Sequence, residues 1–277
     1  MTEYIHQVSN EEHARIARFL RWFAAGTLLF ILTVIVLFIT ADRWLKIISI
    51  EAERRFIEPY IELALEHDLI DGDPALQAYV SELAHDMNRG LENNWDEGFE
   101  LRVYVIDSDL INAFATLGGY IFVFDGLIEA VEDENSLAMV VGHEIAHVHH
   151  RDPLLGTGRG MLIQLVIAAL SGNSMDPSSI HMGSEVILTS YSRDQELAAD
   201  ELALQLVEER YGHVGGAKRL FALIDDDTAD FEFAEFLSTH PDPDARMEKI
   251  DALSADNEWP VRETLPYPEP VQSIIDD

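Results

Sequence analysis

The longest uninterrupted apolar stretch of the chain lies near its N-terminus. Residues 22–41 carry no charged side chain, and that many helical residues, at about 1.5 Å each, match the roughly 30 Å hydrocarbon core of a bilayer. Arg43 and Lys46 follow the stretch, and Trp22 and Trp44 stand where an aromatic belt forms at membrane surfaces. The apolar region of a cleaved signal peptide is shorter, about 7 to 15 residues. The pattern therefore predicts an uncleaved transmembrane anchor.

A second apolar run covers residues 161–170 and lies between two glycine-containing stretches. It is too short to cross a bilayer as a helix. We expect it to form a buried core helix, and the alternative is a mobile flap or a membrane-touching segment.

The remaining periodicity predicts helices and two strands. Apolar residues recur at three- and four-residue spacing over residues 44–90, with an interruption at residues 71–74. Runs rich in β-branched and aromatic residues at 101–107 and 120–124 predict strands. We expect a mainly α fold with a small β-sheet.

These patterns divide the chain into five segments. They are an N-terminal tail (1–21), a transmembrane anchor (22–41), a helical connector (42–95), a folded domain (96–252) and an acidic, proline-containing tail (253–277). We expect the last segment to be irregular and mobile because of its prolines and its charge.

Charge and composition exclude some functions. The chain has 51 acidic and 18 basic residues, for a net charge of −33, so nucleic acid is excluded as a partner because phosphate binding needs a basic surface. The acidity is typical of a solvated surface, and a preference for cationic substrates is the alternative. With no cysteine, a metal could be held only by His, Asp or Glu side chains.

The motif HExxH at residues 143–147 is the first candidate site. It lies in a predicted helix with an apolar stripe, and Asp133 or Asn135 could cap that helix. His143 and His147 are one turn apart, about 40° from each other around the helix, so two imidazoles could bind one ion. Glu144 projects at a different angle, as expected of a base that acts on metal-bound water.

A catalytic zinc requires a third protein ligand and an open position. Glu196 and Asp200 are four residues apart on one face of a second predicted helix. Glu196 could be the third ligand, and Asp200 could orient a ligating histidine. On spacing alone, the two carboxylates would be read as part of a solvated acidic face, and the upstream HExxH motif reverses that preference.

Four stretches in order resemble the HtpX, BepA and CAAX-prenyl-endopeptidase family of gluzincins, peptidase family M48, and within it the mitochondrial quality-control protease branch. They are NAFA with GGYI at residues 112–121, HEIAH at 143–147, SRDQE with Ala199 and Asp200 at 192–200, and STHP with Arg246 at 238–246. The resemblance covers about residues 100 to 250.

The resemblance implies a zincin-like metallopeptidase domain with one Zn²⁺ per chain. His143, His147 and Glu196 would bind the zinc, and Glu144 would be the general base. His240 and Arg246 would help to stabilise the transition state, or His240 would block the open metal position in a latent form. An extended peptide would pair with an edge strand at residues 120–124. The single predicted span argues against processing of prenylated proteins.

We therefore predict a membrane-anchored zinc endopeptidase that cleaves membrane-associated or misfolded proteins in protein quality control. The alternative is a chaperone-like, zinc-binding holdase with little proteolysis. The expected partners are peptide or protein substrates and the membrane. We expect a single-pass protein of the bacterial inner membrane with a periplasmic catalytic domain, although the basic residues flanking the span do not discriminate between the two orientations.

Overall fold

The computed structural model describes residues 10–89, 91, 99–171, 190–224 and 233–276. Helices dominate these ranges and surround one three-stranded sheet. The predicted fold class, mainly α with a small sheet, is confirmed.

Helix α1, Asn10–Leu45, contains the predicted anchor. Its most apolar 18-residue window has a mean hydropathy of 2.6, and within the described residues it is the one helix long and apolar enough to cross a membrane. Two hydroxyls inside it, those of Thr33 and Thr40, donate to the backbone carbonyls four residues earlier, at 2.9 and 2.7 Å. These bonds satisfy polar groups that an apolar environment would leave unpaired.

Helices α2, Ile50–Glu66, and α3, Pro74–Asn88, follow, with the predicted interruption between them. Each begins at a side-chain cap. Ser49 Oγ accepts from the Ala52 amide, and Asp73 Oδ1 accepts from the first amides of α3, which begins with a proline. A proline at this position costs nothing because its missing N–H would have no helical partner. Helix α3 packs against the sheet through its contacts with the first strand.

The sheet consists of β1, Arg102–Ile106, β2, Ala113–Thr116, and β3, Tyr120–Phe124, in the order β1-β3-β2. Strand β3 is parallel to β1 and antiparallel to β2. The prediction that residues 120–124 form an edge strand is therefore wrong, because both sides of β3 already have partners. The two edges of the described sheet are β1 and the short strand β2, and the sequence patterns did not reveal β2.

The helices behind the sheet bring the motifs together. They are α4, Asp125–Val131, α5, Glu134–His150, α6, Asp152–Ser171, α7, Arg193–Tyr211, α8, Arg219–Ile224, α9, Ala234–Thr239, α10, Pro243–Asp256, and α11, Glu269–Ile275. The most extensive packing joins α5 to α7. Gly142 of α5 faces Ala203 of α7, and both are small, so the two helices approach closely.

The predicted apolar stripe of α5 lies in the core. Leu137, Val141 and Ile145 are completely buried, and Val148 nearly so. This face packs on the sheet and on α3, and it fixes the rotation of the helix so that its histidines face α7.

The second apolar run, residues 161–170, belongs to α6, as a helix was predicted. Met161 is 36% exposed, which differs from the expected burial. The side chains from residue 163 to the end of α6 lie outside the described residues, so the expectation of a buried helix stays untested there.

The C-terminal segment, expected to be irregular and mobile, differs from that expectation. Helix α10 continues to Asp256, and Tyr267 and Val271 are buried against the core. The Tyr267 hydroxyl donates to the Ile128 carbonyl at 2.8 Å, and the Leu265 amide donates to Asn135 Oδ1 at 2.7 Å. The few apolar side chains of an acidic, proline-containing segment thus suffice to dock it.

Candidate metal centre

Helix α5 presents two histidines from its last turns. Asp133 caps its N-terminus by accepting from the Ser136 amide at 2.9 Å, and Arg151 ends it in the left-handed conformation with a φ of 65°. His143 and His147 lie between these limits, one turn apart and buried. The HExxH motif is therefore held in a helix that is fixed at both ends.

Helix α7 presents the carboxylates. Its start is a capping box, in which the Ser192 hydroxyl and the Gln195 side chain bond each other's backbone amides. Glu196 and Asp200 follow on one face, and both are completely buried. The sequence predicted that the two carboxylates share a face, and in the structure this face lies against the histidines of α5.

His143, His147, Glu196 and His240 come together in one buried group, whose ligand atoms all lie within 4.8 Å of one another. The two histidine Nε2 atoms are 3.0 Å apart. Each is 3.4 Å from one oxygen of Glu196. His240 Nδ1 lies 3.2 Å from Glu196 Oε1 and 3.3 Å from His143 Nε2.

These separations fit a tetrahedral zinc site. Ligand atoms at about 2.0 to 2.1 Å from a zinc lie about 3.4 Å from one another in a tetrahedron. The observed separations between imidazole nitrogens and carboxylate oxygens lie close to that value. The donor set of imidazole and carboxylate is also one that zinc uses in catalytic sites. Zinc therefore suits the residues present.

Glu144 stands beside this group with nothing to bond. It is completely buried, and within the described part of the chain neither of its oxygens has a hydrogen-bond partner. His240 Nε2 lies 3.6 Å from Glu144 Oε1. A buried carboxylate without a donor is costly, so its oxygens are suited to receive a proton from a group that enters the site.

Asp200 contacts His143 at the ring nitrogen that faces away from the ligand group. His143 Nδ1 lies 2.9 Å from Asp200 Oδ1, so an N–H there leaves Nε2 free to face the other ligands. Arg246 donates to both Asp200 oxygens, at 2.7 and 2.8 Å, and its Nη1 lies 2.7 Å from Glu196 Oε2. Its guanidinium is thus engaged with the two carboxylates that were predicted for the site.

A second carboxylate, which sequence reasoning missed, contacts the other histidine. Asp152 is the first residue of α6, and its Oδ2 lies 2.9 Å from His147 Nδ1. Its Oδ1 accepts from Gln195 Nε2 at 2.6 Å. Tyr191 stacks on the His147 ring at 3.8 Å between centroids. The available signal was an Asp directly after the end of the motif helix, where the chain turns back on itself.

Both supporting carboxylates stay ionised. Burial would raise the pKa of Asp200, but the Arg246 guanidinium outweighs burial and holds that pKa well below its usual range. Burial would likewise raise the pKa of Asp152, but the hydrogen bond with His147 lowers it. Each aspartate is therefore an acceptor for an imidazole N–H.

His240 reaches the group from the end of α9. Its amide donates to the Phe236 carbonyl at 2.8 Å, and its ring stacks on the Phe236 ring at 4.8 Å. It is 1% exposed, and its Nε2 has no hydrogen-bond partner within the described residues. His149 and His150 lie at the end of α5 and are partly buried, and neither belongs to this group.

Replacing Asp152 with Ala tests its contact with His147. We expect zinc affinity to fall about 10- to 100-fold, because His147 would lose the acceptor that fixes its ring and tautomer. Chelator competition measures the affinity. Asp194→Ala, an exposed residue on α7, is the matched control. Equal affinities of the two variants would contradict a supporting role for Asp152.

Comparison with known proteins agrees with this geometry. The profile of peptidase family M48 matches residues 72–254. The chain is 28% identical over 214 residues to the Beta-barrel assembly-enhancing protease of Yersinia pestis, covering 72% of this chain and 43% of that protein. It is 27% identical over 213 residues to the Mitochondrial metalloendopeptidase OMA1 of Schizosaccharomyces pombe, covering 74% and 61%.

A human relative, Metalloendopeptidase OMA1, mitochondrial, is 29% identical over 175 residues, covering 54% of this chain and 32% of that protein. The chain thus spans about half the length of the first two relatives. The matched region contains the motif helix, the two carboxylates of α7, His240 and Arg246. As the sequence motifs predicted, including the mitochondrial branch, the chain belongs to peptidase family M48.

Proposed function

We propose that this chain is a membrane-anchored, zinc-dependent endopeptidase that cleaves membrane-associated or misfolded proteins. One observation carries the proposal: buried nitrogen and oxygen atoms of His143, His147 and Glu196 face one another at about the spacing of zinc ligands, beside the unpaired carboxylate of Glu144. The names of the relatives, which are proteases and metalloendopeptidases, support the same activity.

His143, His147 and Glu196 would hold one Zn²⁺. When bound, zinc supplies a Lewis acid that polarises the scissile carbonyl and makes water acidic enough to lose a proton near neutral pH. Asp200 and Asp152 hold the two imidazoles with Nδ1 as donor and Nε2 facing the ligand group. The chain therefore fixes its ligands before substrate arrives.

Glu144 is the general base of the proposed reaction. Its oxygens accept a proton from the attacking water and then transfer it to the leaving amine of the cleaved peptide bond. The position of Glu144 favours this role, because its two buried oxygens have no hydrogen-bond partner within the described residues and can accept a proton from a group in the site.

Strand β2, which is an edge of the sheet within the described residues, is the proposed binding strand for an extended peptide. Strand β2 takes the binding role that the family resemblance gave to residues 120–124, because those residues form the central strand of the sheet. Strand β2 contacts the motif helix α5, and the Tyr191 hydroxyl, whose ring stacks on His147, lies 3.4 Å from the Ala115 carbonyl. A peptide paired there would pass close to the ligand group.

His240 has two candidate roles, because Nδ1 lies among the ligand atoms while Nε2 faces Glu144. As a group that stabilises the transition state, its replacement by Ala should lower turnover about 10- to 1,000-fold with zinc retained. As a fourth ligand of a latent form, its replacement should raise basal proteolysis. Turnover and zinc content of His240→Ala, measured together, separate the two roles, and a variant with unchanged turnover would contradict both.

Helix α1 is the proposed single membrane span, on account of its length and its uncharged sequence. We place the protein in a bacterial inner membrane with its catalytic domain in the periplasm. Protease protection in oriented vesicles tests that orientation, since a periplasmic domain is digested in spheroplasts and protected in inverted vesicles.

Casein digestion by the full chain in detergent tests the proposed activity. We expect digestion that stops on addition of a zinc chelator and returns on addition of zinc. The alternative function, a zinc-binding holdase, has one supporting observation, the His240 nitrogen among the ligands. It predicts suppressed aggregation of casein without fragments, and this result would overturn the proposed proteolysis.

A further inference from the structure

We infer that α1 is docked rigidly on the catalytic helices, so that the metal centre stays close to the bilayer and the enzyme cuts membrane proteins in the segment next to their span. This inference rests on the proposed endopeptidase and on α1 as its anchor. It adds a specific substrate class, and it names the residues that hold the metal centre near the bilayer.

The first attachment joins the motif helix to the end of the anchor. Arg151, which ends α5, donates from Nη2 to the Ile48 carbonyl at 2.7 Å, in the turn directly after α1. The same guanidinium pairs with buried Glu53 of α2. Glu53 in turn accepts from the Gly118 amide at 2.9 Å, before β3. Arg151 follows the ligand His147 by four residues, so the attachment lies beside the metal centre.

The second attachment joins α6 to α1. Arg159 forms a fork on Asp42, with Nη2 at 2.8 and 2.7 Å from the two oxygens and Nε at 3.2 Å from one of them. Gly158 lies against Leu45, and a side chain at that glycine would overlap it. A lone exposed ion pair contributes little, but here it is combined with packing and with the Arg151 contacts.

The burial pattern of α1 indicates the same docking. Most of α1 is exposed, whereas Val34, Phe38, Ala41 and Leu45 are less exposed than their neighbours and recur at spacings of four, three and four residues. This spacing is one face of a helix, and α6 is the element that contacts α1 most. Only residues 46–49 separate α1 from α2, too few for a flexible tether.

The contacts of α6 set the distance of the metal centre from the membrane. Asp152 bonds the ligand His147, and Arg159 stands seven residues further along α6, which is about 10 Å of helix. Asp42 directly follows the uncharged stretch of α1. We infer that the metal centre lies on the order of 15 Å from the bilayer edge, a distance that an extended substrate covers with about five residues.

Two membrane-spanning substrates test this distance. Each carries the same unstructured segment, chosen because the full chain cleaves it as a free peptide. In one substrate the segment follows the span directly, and in the other it follows a helical (EAAAK)6 spacer of about 45 Å. In liposomes we expect the near segment to be cut at least about 10-fold faster than the far one.

A loosened variant provides the matched comparison. It combines Arg159→Ala with a thirty-residue Gly/Ser insertion between Ile47 and Ile48, a tether with a reach of about 30 Å. We expect it to cut near and far segments at rates within about 3-fold, with cleavage of the free peptide unchanged. Arg55→Ala, an exposed arginine of α2, should keep the preference of the wild type. Equal rates on both substrates for the wild type would overturn the inference.

A second readout does not depend on catalysis. The chain has no cysteine, so pairs can be introduced in Glu144→Gln. Leu45→Cys with Gly158→Cys should form a disulfide under mild oxidation. Leu45→Cys with Gly160→Cys should not, because a side chain at Gly160 meets open space. Absence of the first cross-link overturns the docking, whereas failure of the wild type to cut any free peptide counts against the proposed function instead.

Discussion

Glu144→Gln is expected to keep about one zinc per chain and to lose turnover by about 10²- to 10⁴-fold, the usual contribution of a general base. The reason is local. Glutamine preserves the shape of the side chain, and within the described residues Glu144 forms no hydrogen bond with His143, His147 or Glu196. What is lost is the ability to accept the proton of the attacking water. Initial rates on casein and zinc content of the same sample measure the two effects separately.

Two controls make this result specific. Glu129→Gln changes an exposed glutamate of α4 and should leave both quantities unaltered. A thermal melt of Glu144→Gln should show a stability equal to or above that of the wild type, because a neutral amide replaces a buried, unpaired carboxylate. Turnover within a few-fold of the wild type would remove Glu144 from the mechanism.

Glu196→Ala is expected to weaken zinc binding by far more than 100-fold, because two imidazoles alone make a poor zinc site. Asp200→Ala should weaken it less, by about 10- to 100-fold, since Asp200 holds His143 and Arg246 in place and does not bind the metal itself. The order of the two effects is the prediction. Competition with a chelator of known affinity measures both variants on one scale.

The matched control is Glu209→Ala, an exposed glutamate further along α7. It should bind zinc as the wild type does. If Asp200→Ala loses zinc while Glu196→Ala keeps it, the two roles are exchanged. If both keep zinc, the third ligand lies elsewhere, and His240 is the next candidate because its Nδ1 lies in the same group.

The parts of the fold that the sequence predicted are those set by local periodicity. The HExxH helix was recognisable because its apolar stripe and its histidines lie on different faces of one continuous helix, and the structure buries the stripe as expected. The same holds for Glu196 and Asp200, whose four-residue spacing fixes a shared face. Local spacing could not show which elements meet, and the assembly of the site depended on the family-like order of the motifs.

The strands show the limit of periodicity. Strand β2 is only four residues long, and all four residues are buried, so buried and exposed positions do not alternate along it. It therefore lacks the alternating signal by which strands are recognised. The family resemblance had implied that β3 is an edge, and no local pattern could correct this, because the order β1-β3-β2 depends on long-range pairing.

Asp152 was missed for a related reason. Its contact with His147 spans five residues across the turn at Arg151, whose left-handed φ of 65° brings the start of α6 back to the motif helix. A non-glycine residue in that conformation is uncommon, and no sequence pattern predicted it at Arg151. The C-terminal segment was misjudged from its composition, since the buried Tyr267 outweighs the prolines around it.

Metal analysis of the purified full chain tests the central claim most directly. The account predicts one zinc per chain after dialysis in the wild type and in Glu144→Gln. It also predicts an X-ray absorption spectrum with only nitrogen and oxygen ligands, at about 2.0 to 2.1 Å. His147→Ala should lose the metal. A wild-type chain without zinc, or one whose zinc survives His147→Ala unchanged, would contradict it.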